Sequence, residues 1–198
     1  LGKKALRLTG NVTSAADLQQ ACDQLQADFG HLEVAVNCAG IANATPAEEM
    51  PLEQWQQMMD VNLTGVFLSC QAEARLMLPN QRGSIINIAS IYGVVSNDPL
   101  LYEGTPMVQP PSYNFVKGGM INFTRYLACY YGRQGIRANS ISPGGYFNEQ
   151  PLAFVERYSQ RVPLGRMMGY DDLQGAVVFL ASDASAYVTG TNLMVDGG

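Results

Sequence analysis

The stretch Ser84-Ile85-Ile86-Asn87-Ile88-Ala89, followed at once by Ser90, decides how this chain is read. A short run dominated by isoleucine reads as a strand, and Ser90 sits at its carboxyl end. Working outward, a long helix is expected before it, from about Leu52 to Leu78, and another after it, from Tyr113 to Arg133. Ile136 to Ser142 is the next strand, stopped by Pro143-Gly144. Further toward the N-terminus, Leu32 to Val36 reads as a buried strand ending in Asn37-Cys38-Ala39-Gly40. Ser14 can cap a helix to about Phe29, with Leu18, Ala21, Cys22 and Leu25 on one face. Ala5 to Leu8 reads as a short strand, Asp171 to Ala181 as a last helix and Asn192 to Val195 as a last strand. Strand and helix alternate, which predicts an α/β fold with a mostly parallel sheet. We expect one domain over residues 1–198. The segment Ser96 to Pro111, with Pro99, Gly104, Pro106, Pro110 and Pro111, has no period and reads as a long loop. It is either a surface insertion or a wall of the ligand crevice, which forms at the carboxyl ends of parallel strands.

Composition narrows the functions. Of 198 residues, 47% are hydrophobic and 15% charged, a globular balance. The net charge of -5 repels phosphate backbones and argues against nucleic acid as a partner. No apolar run reaches the roughly 18 residues of a membrane span. Cys22, Cys38, Cys70 and Cys129 are scattered and His31 is the only histidine, so no metal site is expected. Unpaired cysteines fit a reduced, cytoplasmic protein.

The chemistry concentrates in Tyr113-Asn114-Phe115-Val116-Lys117. Residues four apart share a helix face, so the phenol and the ammonium point the same way. A free phenol, pKa roughly 10, is a poor base at neutral pH, and a nearby ammonium favours its ionised form. That pairing makes a proton acceptor for an alcohol and a donor to a carbonyl. Ser90 lies at a strand's carboxyl edge, where α/β sites form. Asn62 interrupts a helix at a small propensity cost. Asn37-Cys38-Ala39-Gly40 and Pro143-Gly144-Gly145 end strands with small residues that let a ligand approach. Taken singly, each has a plainer reading: Ser90 as a cap, Asn62 as a surface residue, the glycines as turns, Tyr113 packed beside an extended Lys117.

Together and in this order they resemble the short-chain dehydrogenase/reductase family. The resemblance rests on Asn37-Cys38-Ala39-Gly40, Asn62, Asn87-Ile88-Ala89-Ser90, and Tyr113 with Lys117. It extends to Ile136-Arg137-Ala138-Asn139-Ser140-Ile141-Ser142-Pro143-Gly144 and Val195-Asp196-Gly197-Gly198. It implies a Rossmann-type, doubly wound parallel sheet in three α/β/α layers, a nicotinamide cofactor (NAD or NADP) and a homo-oligomer, tetramer or dimer. Tyr113 would be the general acid/base. Lys117 would lower its pKa and hold the nicotinamide ribose. Ser90 would bind the substrate oxygen, and Asn62 would hold a helix kink and a water for proton relay. Cofactor contacts would come from Asn11, Val12, Cys38, Ala39, Gly40, Pro143, Gly144, Tyr146 and Asn148, besides Tyr113 and Lys117. Asn11 and Cys38 depart from the family's usual Asp and Asn, and Asn148 from its usual Thr.

The family's opening strand, Gly-rich turn and following strand have no counterpart in this sequence. Leu1-Gly2 reads as the end of a helix preceding the first strand, with Gly2 as its cap. Without those opening strands the Leu32 to Val36 strand would be left as an unpaired apolar edge, so we expect an incomplete stretch of a longer protein, the alternative being a short form that has lost cofactor binding. The expected activity is interconversion of a secondary alcohol and a ketone, on a sugar, sugar acid or polyol. The alternatives are a steroid or acyl-carrier carbonyl substrate, or a non-catalytic oligomerising protein on the same scaffold.

Overall fold

A computed structural model describes residues 5–198. Its elements run α1 (Ala15–Phe29), β1 (Val34–Asn37), α2 (Leu52–Met59), α3 (Gly65–Met77) and β2 (Gly83–Ile88). Then follow α4 (Pro111–Tyr131), β3 (Ile136–Pro143), α5 (Leu152–Arg161), α6 (Gln174–Ala181) and β4 (Asn192–Val195). The four strands form one sheet in the order β1-β2-β3-β4, every pair parallel. Successive strand residues face opposite ways. Ile85 accordingly joins a core with Val66 and Cys70 of α3 and Met120 of α4, whereas Ile86 packs with Leu180 of α6. Helices therefore cover both faces, giving the three-layer, Rossmann-type α/β fold expected. α1 lies against α3.

The Ser14 cap forms as read: its hydroxyl accepts the Asp17 N–H at 3.2 Å and donates to the Asp17 carboxylate at 2.8 Å. The helix expected from Leu52 to Leu78 is not one regular helix. α2 and α3 are joined by a π-helical turn, Asp60–Thr64, centred on Asn62. Ala5 to Leu8 is irregular, not a strand; no described strand lies beside it, and a strand exists only with ladder partners. The cap expected at Gly2 lies outside the described residues. β1 is an edge strand, with Val36 45% exposed. α6 starts at Gln174, after a turn at Asp171 and Asp172.

Helix α5 was not anticipated. It clamps the 96–111 loop, which contains one 3₁₀ turn, Pro99–Leu101. Phe154 and Tyr158 of α5 share a small core with Leu101, Tyr102 and Met107. The Arg157 guanidinium donates to the carbonyls of Leu100, Leu101 and Glu103, and Arg161 pairs with Asp98 at 2.7 Å.

Candidate active site

A cavity of about 560 Å³ opens where β2 and β3 end, with Ser90, Tyr113, Lys117, Pro143, Gly144 and Tyr146 on its walls. Ligands of parallel α/β sheets bind outside the carboxyl ends of the strands. A larger groove, about 840 Å³, lies at the opposite edge, along Val34, Ser84 and Ile136, and holds none of the candidate catalytic side chains.

Ser90 ends β2 and caps the turn Ile91–Gly93, its Oγ accepting the Tyr92 N–H at 3.2 Å. The plain reading of Ser90 as a cap thus holds alongside the functional one, because accepting from Tyr92 leaves the hydroxyl proton to be donated toward the cavity, where Tyr113 stands. That turn presses against α4 at a glycine. A Cβ on Gly93 would sit 2.7 Å from the backbone carbonyl of Lys117. Only hydrogen fits there, and this close contact holds Ser90 beside the first turn of α4, where Tyr113 stands.

Burial raises the Tyr113 pKa above its usual value, and a hydrogen bond with Ser90 opposes the shift. The start of a 21-residue helix is also the positive end of its dipole, which favours a phenolate. Lys117 is buried; its Nζ donates to the Ile88 carbonyl at 2.7 Å and lies 5.6 Å from the centre of the Tyr113 ring. Desolvation lowers the ammonium pKa to about 8, partly offset by Cys38. In the chain alone, burial sets the direction of the Tyr113 shift and Ser90, not Lys117, opposes it.

Asn62 is buried and makes both hydrogen bonds an amide can exchange with one backbone residue. It accepts from Ile41 N and donates to Ile41 O, each at 2.8 Å. The π turn presents this side chain sideways, and a single extra residue in a helical turn does so without ending the helix. Asn62 thereby pins the segment after Gly40 at the site's edge. A Cβ on Gly40 would lie 3.3 Å from Asn62 Oδ1.

The remaining candidates are divided. The cavity wall on that side is made by Ala42 and Asn43, not by Cys38, Ala39 or Gly40. Cys38 is exposed, though near enough to Lys117 to act on its charge. Asn11 and Val12 line a separate hollow of about 220 Å³ with Asp17 and Leu18. Asn11 Oδ1 already accepts the Thr13 N–H at 3.0 Å, and Val12 packs on Gly65, where a Cβ would lie 2.9 Å from Val12 Cγ2. Asn148 falls off the wall: its N–H is held by Gln150 Oε1 at 2.7 Å, and Gln150 lines the cavity instead. Among the wall residues missed in the sequence, three carry polar groups close to the candidates. Tyr92 follows Ser90 by two, Asn43 follows Gly40 by three, and Tyr158 reaches from α5 to accept the Gly145 N–H. Of the polar loop residues, Tyr102 and Gln109 line the cavity; Asp98 is spent on Arg161 and Leu100 N, and Thr105 on Tyr102 O.

Residues 1–198 match the family model described as enoyl-(acyl carrier protein) reductase. A crystal structure of a short chain dehydrogenase from Leptospira borgpetersenii with bound NAD+ superposes with TM-score 0.90 at 40% identity, covering 96% of this chain and 73% of that one. This chain belongs to the short-chain dehydrogenase/reductase family. A short-chain dehydrogenase relative, D-threitol dehydrogenase of Mycolicibacterium smegmatis, is 36% identical over 193 residues, 95% of this chain and 70% of that protein. A 3-oxoacyl-[acyl-carrier-protein] reductase of Synechocystis is 35% identical over 199 residues, covering all of this chain and 76% of its own. A gluconate 5-dehydrogenase from Burkholderia cenocepacia, solved with NADP and tartrate, gives TM-score 0.86 at 34% identity, over 96% of this chain and 72% of that one.

The short-chain dehydrogenase site present here suits the nicotinamide ribose. Lys117 is a buried amine with one donor spent on Ile88 among the described residues, so it has donors left for ribose hydroxyls. Tyr113 shares its cavity, and the Pro143-Gly144 turn forms the facing wall with little side-chain bulk.

Proposed function

We propose that this short-chain dehydrogenase/reductase interconverts a secondary alcohol and a ketone with NAD or NADP, on a sugar, sugar acid or polyol. The observation that carries the reading is the convergence of Ser90, Tyr113 and Lys117 on one cavity at the carboxyl edge of the sheet. A nicotinamide held by Lys117 and the Pro143-Gly144 turn would supply the hydride acceptor. Tyr113 takes the proton of the substrate hydroxyl as the carbonyl forms, and returns it in the reductive direction. Ser90, its Oγ oriented by Tyr92 N–H, donates to the substrate oxygen where negative charge develops. Lys117 would hold the ribose and pass the proton toward solvent, while Asn62 pins the Ile41 segment at the edge of the site. Tyr158 fixes the Gly145 turn at the cavity wall by accepting its N–H.

The functional unit in this reading is a homo-oligomer, tetramer or dimer. Phe67 of α3 and Phe123, Tyr126 and Tyr130 of α4 form a continuous aromatic ladder. Phe67, Tyr126 and Tyr130 are exposed, and such a patch favours a partner. The free cysteines suit the reducing cytoplasm, and no helix among the described residues is long and apolar enough to cross a membrane. The test is the appearance of reduced nicotinamide when protein, NAD+ or NADP+, and a panel of polyols, sugar acids and simple secondary alcohols are mixed. Cofactor-dependent turnover of at least one class is expected. Turnover of none, with cofactor bound, would overturn the reading.

A further inference from the structure

Among the described residues, the cavity walls carry one charged side chain, Lys117, and its amine is tied to the Ile88 carbonyl. No aspartate, glutamate or arginine among the described residues lines them. The arginines nearby are spent elsewhere: Arg157 on loop carbonyls, Arg161 on Asp98, Arg166 on Asp172. A carboxylate entering this space would shed water and meet only the Lys117 amine, already tied to Ile88 and reserved in this reading for the ribose, which is costly for an ion. Neutral hydroxyls meet a different reception. Tyr92 and Tyr102 both face the cavity with their phenol oxygens 2.9 Å apart, and Asn97 donates to the Tyr102 oxygen at 3.4 Å. Two phenols together offer two protons and four lone pairs. The contact between them uses one proton and one lone pair, and Asn97 uses another lone pair. One donor and two acceptor sites remain, which is what a substrate hydroxyl needs.

We propose that the cavity selects an uncharged polyol, or the hydroxyketone derived from it, over an acidic sugar of the same length, and that the Tyr92–Tyr102 phenol pair binds a hydroxyl other than the one that reacts. The proposal rests on the dehydrogenase reading above and narrows its substrate. Ring packing fixes the pair: Tyr102 lies against Phe154 with centroids 5.3 Å apart, so the phenols sit on a rigid wall. A fixed pair recognises a hydroxyl without first being ordered.

The test compares three probe classes on the cofactor-loaded enzyme: four- to six-carbon alditols, the aldonates of the same lengths, and a monohydric secondary alcohol such as cyclohexanol. The alditols should exceed the aldonates in kcat/KM by at least about tenfold. Tyr92→Phe and Tyr102→Phe keep the rings and remove the hydroxyls. Each should lower alditol kcat/KM by roughly 3- to 10-fold, the scale of one neutral hydrogen bond, mainly through KM. The loss should be clearly smaller for the monohydric alcohol. Calorimetric binding of the alditol to the cofactor-loaded Tyr113→Phe enzyme should weaken in the same order when either tyrosine change is added. Aldonates used as well as alditols, or equal losses on both alcohols, would overturn the proposal while leaving the dehydrogenase reading in place. Failure of all three classes and of their ketones, with cofactor bound, would overturn both.

Discussion

Replacing Gly93 by alanine should damage the site without touching any reacting group. The added Cβ would lie 2.7 Å from the Lys117 carbonyl carbon and oxygen and 2.7 Å from Ile121 Cδ1. Ordinary contact begins near 3.4 Å, so the turn and α4 must part by about 0.7 Å. Ile121 can rotate away, but the Lys117 backbone belongs to the middle of a helix and cannot. Gly93 N donates to the Ser90 carbonyl at 2.9 Å, so the displacement is passed directly to Ser90. Overpacking of this kind costs about 1–3 kcal/mol. For a chain of this size that lowers Tm by roughly 2–12 °C. A misplacement near 1 Å costs on the order of 100-fold in rate, so kcat should fall about 10- to 100-fold. Gly118 supplies the control. It faces Gly93 across the same contact, yet a Cβ there would lie 3.5 Å from the Gly93 oxygen, an ordinary distance. Gly118→Ala should keep kcat and hold or raise Tm, since alanine favours a helix by about 0.5–1 kcal/mol. The assays are steady-state kinetics and thermal unfolding at one fixed protein concentration. Wild-type kcat and Tm in Gly93→Ala, or equal damage from Gly118→Ala, would refute the argument.

Asn62→Ala removes both hydrogen bonds to Ile41 and should destabilise the fold by about 2–4 kcal/mol, a loss that thermal unfolding would register. Faster amide exchange at Ile41 to Asn43 should accompany it. Lys117 is charged at a cost in the fold, because its folded pKa of about 8 lies below the ordinary 10.5. The unfolded chain binds the extra proton between these values, so this group's contribution to stability rises with pH from about 8 to 10.5. Lys117→Met should flatten that rise in Tm while abolishing turnover; an unchanged rise would contradict the assignment. Tyr126→Glu with Tyr130→Glu places charges in the aromatic ladder and should shift the light-scattering mass toward the monomer, whereas an unshifted mass would place the interface elsewhere.

Much of the architecture was legible because its signals are local. β4 lies at Asn192–Val195 as read, and α1 starts at the residue its Ser14 cap dictates. Ala5 to Leu8 failed because a strand needs a paired neighbour, and a four-residue stretch carries no information about its neighbour. α5 was missed because a charged, polar segment buries only Phe154 and Tyr158. Pro151 ahead of it, with those two aromatics four apart, was the available sign. The catalytic candidates were legible through Tyr113 and Lys117, whose spacing is helical and whose chemistry is complementary. The Tyr92–Tyr102 pair was not, since the two side chains stand ten positions apart without periodicity and Tyr102 is positioned by packing on α5. The tie between Lys117 and the Ile88 carbonyl was hidden likewise, because a backbone acceptor leaves no mark in the sequence.

The central claim is that Tyr113 moves the proton. Tyr113→Phe keeps the ring and removes the one oxygen that can take it. The decisive measurement is kcat for alcohol oxidation by this variant beside the wild type, with cofactor binding measured on both. The account predicts a fall of at least roughly 10²–10⁴-fold with cofactor affinity little changed. Turnover near that of the wild type would contradict it.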